Sequence, residues 1–203
     1  MKTDCCLIPK GRPREFCVDQ ALAAALRVFW SKGYEGTSLS DLTDAMGITR
    51  PSLYAAFGNK EALFRKALDL YEHEKLAYVQ QALDEPTARA VAERLLRGAL
   101  EAQCSRSEPK GCLRVISSVA CGTEAESVRE EVNIRRKSSN KALVARFEKA
   151  QAAGELPDTM DAEGLAGYLG ALLQGLSIQA GAGATWDELD RLVKTSMAVW
   201  PTR

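Results

Sequence analysis

The sequence predicts an all-α fold of about nine helices, with a three-helix N-terminal domain and a larger C-terminal helical domain. Apolar residues recur at three- and four-residue intervals along most of the 203 residues, as they do on the buried face of a helix. Glycine and proline interrupt these runs, and serine, threonine or asparagine precedes several of them, as helix caps do. We place the boundaries at residues 1–15 for a flexible basic arm, 16–60 for the first domain and 61–203 for the second.

The charge balance and the absence of long apolar runs limit the function classes open to this chain. Lysine plus arginine is 27 and aspartate plus glutamate is also 27, whereas a protein that coats nucleic acid indiscriminately usually carries a basic excess. Cations are concentrated in residues 1–14, where Asp4 is the single acidic residue. No apolar run approaches the roughly 18 residues of a membrane span, and a signal-peptide core is lacking. We therefore expect a soluble, cytoplasmic protein without a membrane partner.

The six cysteines are expected to be free thiols, because a reducing cytoplasm disfavours structural disulfides. No cysteine pair has the two-residue spacing of a zinc site, and the single histidine, His73, is far from the cysteine cluster in sequence. The chain contains neither a recognisable catalytic triad nor a phosphate-binding glycine loop. We therefore predict no metal, no cofactor and no catalytic residues, and hence no enzymatic activity.

The first helix is predicted from about Val18 to Lys32. Leu22, Leu26 and Phe29 lie on one face of this helix, and Gly33 ends it. This helix is expected to support the two short helices that follow it.

Two short helices joined by a tight turn are predicted next. Ser38 and Asp41 form a capping box that starts the first of them. Gly47 ends that helix, because glycine accepts the left-handed conformation that bulkier residues resist. Thr49 caps the second helix, which continues to Ala56. This pattern is typical of a helix-turn-helix, whose second helix can lie in the major groove of DNA.

The outward side of the second short helix carries hydrogen-bonding side chains, which a plain helical hairpin does not need. Arg50 can make a two-pronged contact to guanine, and serine or threonine can contact bases or phosphates. Lys60 starts the next helix, where its charge and the nearby free amides suit a phosphate. The basic arm is either a solvated tail or a segment that reaches phosphates or the minor groove. The predicted DNA contacts are Arg12, Arg14, Thr37, Ser38, Thr49, Arg50, Pro51, Ser52, Tyr54 and Lys60.

The run GYEGTSLSDLTDAMGITRPSLYAAFGNKEALF closely resembles the N-terminal domain of the tetracycline-repressor (TetR) family of bacterial transcriptional regulators. The similarity spans about Phe16 to Leu70 and is most specific in the Leu-Tyr-x-x-Phe-x-x-Lys-Glu run at residues 53–61. The resemblance implies an all-helical, dimeric protein that represses transcription until a small effector binds its C-terminal domain. It also implies that a long fourth helix couples the two domains.

Helical spacing continues after Asn59 through EALFRKALDLYEHEKLAYVQQAL, so we predict one continuous fourth helix. The last third of the chain predicts two more helices, and small residues four positions apart would allow close helix packing there. These two helices either close the core of one chain or build a two-fold four-helix interface. The family resemblance favours the homodimer. The predicted interface residues are Gly167, Ala171, Gly175, Leu192 and Trp200.

Cys112 has two alternative interpretations. It precedes a short apolar helix and lies close to Lys110 and Arg114, so that the helix dipole and two cations favour a reactive thiolate. The Gly-Cys-Leu step also resembles a subset of TetR-like regulators, some of which sense oxidants or electrophiles. Alternatively, Cys112 is a small residue that lines a mostly apolar effector pocket. The candidate pocket or sensor residues are Cys112, the possible resolving thiols Cys104 and Cys121, and the polar contacts Gln103 and Gln174.

The sequence thus predicts a ligand-responsive repressor that acts as a homodimer on a palindromic double-stranded DNA operator and is released by an unidentified small effector. One alternative is a repressor that senses oxidants or electrophiles through Cys112. Another is an architectural DNA-binding protein without an effector. A thiol enzyme built on Cys112 would need a neighbouring base, for which His73 is the single histidine.

Overall fold

A computed structural model describes residues 16–103, 105, 108–119, 122 and 125–201. The arm predicted at residues 1–15, with Arg12 and Arg14, lies outside the described residues, as do Cys104 and Cys121. Within the described part of the chain the regular structure is entirely helical, which confirms the predicted all-α class. The helices are α1 Val18–Lys32, α2 Leu39–Met46, α3 Arg50–Phe57, α4 Lys60–Lys75, α5 Ala77–Leu83, α6 Ala88–Gln103, α7 Leu113–Val119, α8 Glu126–Ala152, α9 Ala162–Gly181 and α10 Trp186–Ala198.

The prediction of one continuous fourth helix is wrong, because the helix is interrupted between α4 and α5. Leu76 has φ −108° and ψ 12°, outside the α-helical region, and separates Lys75 from Ala77. Hydrogen bonds still flank the break: the backbone N–H of Leu76 donates to Glu72 O, and that of Val79 donates to Leu76 O. The apolar spacing continues through this point, so the sequence pattern does not reveal the break. Because this break divides the predicted fourth helix into α4 and α5, the described residues form ten helices where about nine were expected.

The buried apolar residues form two clusters. The first lies among α1 to α4 and also contains Leu113 from α7 and Val128 and Val132 from α8. The second joins α6, the C-terminal half of α8, α9 and α10. Helices of the C-terminal part of the chain therefore contribute directly to the core that supports α2 and α3.

Aromatic rings fix the angle between α1 and α4, which frame the two short helices. The rings of Phe29 and Phe64 meet edge to face at 5.1 Å between centroids, and Tyr34 packs on Phe64 in the same manner at 5.2 Å. Both phenylalanines are completely buried, and such pairs add a directional preference to the burial of apolar area. None of the helices described is both long enough and apolar enough to cross a membrane.

Candidate nucleic-acid interface

Helix α2 begins at a complete capping box. The backbone N–H of Asp41 donates to Ser38 Oγ at 3.0 Å, and the backbone N–H of Ser38 donates to Asp41 Oδ2 at 2.9 Å. Lys32 Nζ lies 2.6 Å from Asp41 Oδ1. This ammonium, followed by the hydrogen bonds from Ser38, holds the pKa of the Asp41 carboxyl well below its usual range. The box fixes the first residue of α2, and Ser38 stays exposed beside it as a candidate phosphate contact.

Thr37 must be removed from the predicted DNA contacts. Its side chain is 1% exposed, and its hydroxyl donates to the Gly33 carbonyl at 2.6 Å. A buried hydroxyl with this partner joins the end of α1 to the start of α2 and has no surface to offer to DNA. The prediction failed because a threonine beside a cap looks the same in sequence whether its side chain points inwards or outwards.

The turn between α2 and α3 requires glycine. Gly47 has φ 65° and ψ 32°, in the left-handed region, and the next residue, Ile48, donates its backbone N–H to Thr43 O at 3.1 Å. Thr49 then caps α3, since its hydroxyl accepts the backbone N–H of Ser52 at 3.4 Å. The turn therefore presents the first residues of α3 at a fixed angle to α2, as the reading helix of a helix-turn-helix requires.

One face of α3 is anchored and the opposite face is open. Leu53 and Phe57 are 0% and 3% exposed and attach the helix to the N-terminal core. The residues predicted to contact DNA from this region are exposed, apart from the half-buried Ser52: they are Thr49, Arg50, Pro51, Ser52 and Tyr54. A short helix with this division can enter a groove without disturbing its own core.

Arg50 lies in the first turn of α3, and its guanidinium is oriented by α2. Its Nη2 donates to Ser40 Oγ at 2.9 Å in an exposed contact. Since guanidinium carries five N–H donors, most of them stay available to a guanine edge. The guanidinium of Arg50 is therefore accessible for the predicted base contact.

Lys60 is the first residue of α4, where backbone amides of the first turn lack helical partners. Its Nζ lies 4.4 Å from the centroid of the Tyr34 ring, a cation–π contact. Burial lowers the pKa of the Lys60 ammonium, while the carboxylates of Glu35 and Asp41 oppose that shift. A phosphate at this helix start would supply a direct counter-charge to a partly desolvated cation.

Cys112 is partly buried immediately before α7 and packs against the N-terminal core. Burial, followed by the effect of the Cys112 thiol, raises the pKa of Tyr71 well above its usual value. The two cations expected to favour its thiolate are engaged elsewhere. Lys110 Nζ donates to the carbonyls of Gln103 and Ser105, and Arg114 pairs with Glu72 at 3.7 Å.

The two glutamines predicted to contact an effector lie in different surroundings. Gln103 is 6% exposed at the end of α6, and its Nε2 donates to Ser177 Oγ of α9 at 3.0 Å. Its Oε1 is buried without a hydrogen-bond donor among the described residues. Gln174 is half-buried on α9. Gln103 is thus the better placed of the two to accept a hydrogen bond from a bound molecule.

The predicted interface residues differ in their exposure to solvent. Gly167 and Ala171 are exposed on α9, and Gly175 and Leu192 are half-buried. Trp200 is 3% exposed, because its ring packs on Phe147 in the C-terminal core at 5.9 Å between centroids. It offers no surface to a second chain, so its assignment to the interface was wrong.

Sequence reasoning missed the tyrosines near Cys112. Tyr71 on α4 and Tyr78 on α5 both lie close to this thiol, and burial first, then the thiol, raises the pKa of Tyr78 as well. Their spacing is that of ordinary core positions, so no signal distinguished them from neighbouring leucines. His73, by contrast, is exposed near the end of α4.

Comparisons with known proteins match two regions of the chain to family models. Residues 21–67 match the family model described as bacterial regulatory proteins, tetR family. Residues 89–195 match the model described as tetracyclin repressor-like, C-terminal domain.

Individual relatives agree with these matches. The chain is 34% identical to the HTH-type transcriptional repressor ComR of Escherichia coli K12, over 98% of this chain and 96% of ComR. It is 31% identical to YezE of Bacillus subtilis 168, an uncharacterised HTH-type transcriptional regulator, over 93% of this chain and 98% of YezE. Among solved structures, a cysteine mutant of the regulator CifR complexed with 26 bp of operator DNA is 40% identical. That match has a TM-score of 0.88 and covers 94% of this chain and 100% of that chain.

Arg50→Ala should reduce affinity for the operator by about 1–3 kcal/mol and relax the base preference at one position per half-site, because a two-pronged guanine contact is lost. Binding should be measured on a DNA site selected by the wild type from a random library, and on its single-base variants. Arg97→Ala, in an exposed pair with Glu93 on α6, is the control and should leave the preference unchanged. A base preference that survives Arg50→Ala would refute the assigned contact.

Lys60→Ala should weaken binding to all sequences alike and reduce the salt slope of binding by roughly one unit, because one phosphate contact disappears. The measurement is a titration of specific and non-specific duplexes over a range of salt concentrations. Lys194→Ala on α10, where the lysine pairs with Asp190, should leave the slope as it is. Unequal losses on the two duplexes with an unaltered slope would assign Lys60 a different role.

Proposed function

Because the chain belongs to the tetR family of bacterial regulatory proteins, we propose that it is a homodimeric transcriptional repressor. It binds a palindromic operator and is released by a small, mostly apolar effector. The observation that carries this proposal is the exposed polar face of α3, held by a buried Leu53–Phe57 edge and a glycine turn. The operator complex of the similar regulator CifR supports the same mode of action.

Each α3 helix reads one half-site in this proposal. Two-fold symmetry places the α3 helices about 34–36 Å apart, in successive major grooves on one side of the duplex. Arg50 reads a base edge, and Tyr54 and Lys60 hold the backbone. The overall charge balance agrees with such a local footprint, because only the reading surface has to be complementary to DNA.

The exposed apolar side chains of the C-terminal helices support a dimer. Tyr168 and Ile178 on α9 are 43% and 57% exposed, and Trp186 at the start of α10 is 47% exposed. A methyl group added at Gly167 or Gly175 would meet no atom within 4 Å in the single chain. This face of α9 is therefore open, and small residues along it would let a second copy approach closely.

Release by an effector follows from a difference in affinity between two states of the dimer. An effector that prefers the state with the wrong α3 separation weakens operator binding by the amount of that preference. The apolar faces of α4 to α9 supply most of the binding surface, and Gln103 Oε1 accepts a hydrogen bond from a hydroxyl or amine of the effector. An architectural protein without an effector would need no such acceptor.

A second candidate function is thiol sensing through Cys112, favoured by its partial exposure and by its contact with Tyr71. Oxidation of the thiol would put a polar group between α4 and α7 and favour the released state. The choice of cysteine mutants for the CifR structure is consistent with this idea but concerns that protein.

The central test is selection of a binding site from random duplex DNA, followed by measurement of stoichiometry. We expect a palindromic site bound by two chains, since a two-fold dimer presents two identical reading helices. Selection of no preferred sequence, or binding of single chains to single half-sites, would overturn the proposal.

Gly175→Leu should weaken the dimer while leaving the single chain folded. A Cβ atom at this position meets no neighbour within 4 Å in one chain, but a leucine would separate two closely packed helices, an overpacking that typically costs about 1–3 kcal/mol. Analytical ultracentrifugation should show a larger monomer fraction, and circular dichroism an unchanged helix content. Ala145→Leu, at an exposed position of α8, is the matched control. A dimer of wild-type strength in Gly175→Leu would place the interface elsewhere.

Cys112→Ser separates the second candidate from the first. If Cys112 is the sensor, mild peroxide should release the wild type from its operator and leave Cys112→Ser bound, because the oxidisable thiol is gone. Cys17→Ser is the control, since Cys17 is the other described cysteine and precedes α1. Wild-type protein that stays on the operator after mass spectrometry shows oxidised Cys112 would assign this residue to packing alone.

A further inference from the structure

Residues 108–119, which we call the α7 segment, cross from the C-terminal core to α1. On the α1 side, Trp30 Nε1–H donates to the Gly111 carbonyl at 2.7 Å in a buried contact. Glu108 accepts from Lys75 of α4 at 3.1 Å and from Arg27 of α1 at 3.5 Å. Glu108 is 15% exposed and Lys75 is 28% exposed, so this pair is partly shielded, whereas Arg27 is 61% exposed and solvent screens its pair with Glu108.

The same segment is attached to the C-terminal helices on its other side. Lys110 Nζ donates to the Gln103 carbonyl at the end of α6 at 3.2 Å. Gly111 has φ 84°, and a methyl group placed on it would meet the Ser177 carbonyl oxygen of α9 at 3.5 Å. Gly111 therefore lies beside the backbone of α9, and its carbonyl accepts the indole N–H of Trp30 on α1.

Because α4 is interrupted at Leu76, the contacts of the α7 segment are a second connection between the C-terminal helices and the N-terminal core. A continuous α4 would carry a displacement of the C-terminal domain directly to α3, but α4 ends at Lys75. Tyr71 and Tyr78 stand on opposite sides of the break, and Cys112 of the α7 segment packs against the same apolar cluster as Tyr71. The contacts of the α7 segment with α6, α9 and α1 thus form a connection to α1 that does not run along α4.

We propose that Trp30 is a positioning residue that transmits the state of the C-terminal domain to the DNA-reading helices through its hydrogen bond to Gly111. Glu108 assists it by pairing with α1 and α4. The inference rests on the proposed function, since it names the route by which operator binding and effector binding influence each other. Thermodynamic linkage makes this route measurable without an effector: if the C-terminal domain acts on DNA binding through Trp30, DNA binding acts on the α7 segment through Trp30.

The test is amide hydrogen exchange of residues 113–119 in the full-length protein, with and without the operator selected by the wild type. The operator should slow exchange of these amides by about fivefold or more in the wild type, a factor typical of coupled sites. Trp30→Phe keeps the aromatic packing on Tyr71 but removes the donor, and should reduce this ratio to near one. A purely structural role would change exchange in both states alike and leave the ratio intact.

Trp200→Phe, at a buried indole of the C-terminal core whose Nε1–H has no acceptor among the described residues, is the matched control and should keep the wild-type ratio. Glu108→Gln, which retains the side-chain shape and loses two ion pairs, should lower the ratio by about half or more and decides the matter if Trp30→Phe is unfolded. A wild-type ratio in Trp30→Phe, or in Glu108→Gln where Trp30→Phe is unfolded, would overturn the inference. The inference would also be overturned if bound operator left the exchange rate of the α7 amides unchanged in the wild type. Failure to select any operator would instead refute the proposed function.

Discussion

The N-terminal half of the structure depends on the burial of Phe29 and Phe64 against one another. Their edge-to-face contact holds α1 across α4, and Leu53 and Phe57 of α3 complete the same core. Because a core of this kind is close-packed, a small change in the angle between α1 and α4 would have to move α3 as well. The reading face can therefore stay polar and open, since its position is fixed from behind by apolar contacts.

The features that the sequence predicted correctly are local ones. The capping box of Ser38 and Asp41 and the turn at Gly47 are properties of a few adjacent residues, and both are present. Membership of the tetR family was recognisable because another short stretch, residues 53–61, carries the most specific residues within the matched region. Trp200 was misjudged because its burial depends on a distant helix, where its ring packs on Phe147. Thr37 was misjudged because the direction of a side chain in a turn is not visible in the sequence, and its hydroxyl points inwards to Gly33, four residues back. Helical spacing gives the face of a residue but not the element that covers it.

The break at Leu76 and the contacts of the α7 segment could not be predicted for a related reason. Trp30 and Gly111 are 81 positions apart, and no periodicity links them. The apolar pattern of α4 continues into α5 without interruption, although Leu76 leaves the helical region. Contacts of this type must be observed, and the coupling route that we propose between the two parts of the chain rests on them.

The junction between the two cores is polar as well as apolar, and this combination suits a regulator. Arg135 of α8 lies within 2.9 Å of carboxylate oxygens of Asp69 and Glu72 of α4 and of Glu131 of its own helix. Burial opposes the charge of Arg135, yet the three carboxylates raise its pKa above the usual value. These side chains are 22–62% exposed, so solvent screens the pairs and each contributes little stability.

A junction held by several such contacts can rearrange at a cost comparable to the affinity difference of an effector, about 1–3 kcal/mol, whereas repacking the Phe29–Phe64 core would cost more. Regulation can thus act at the junction while the reading unit itself stays rigid.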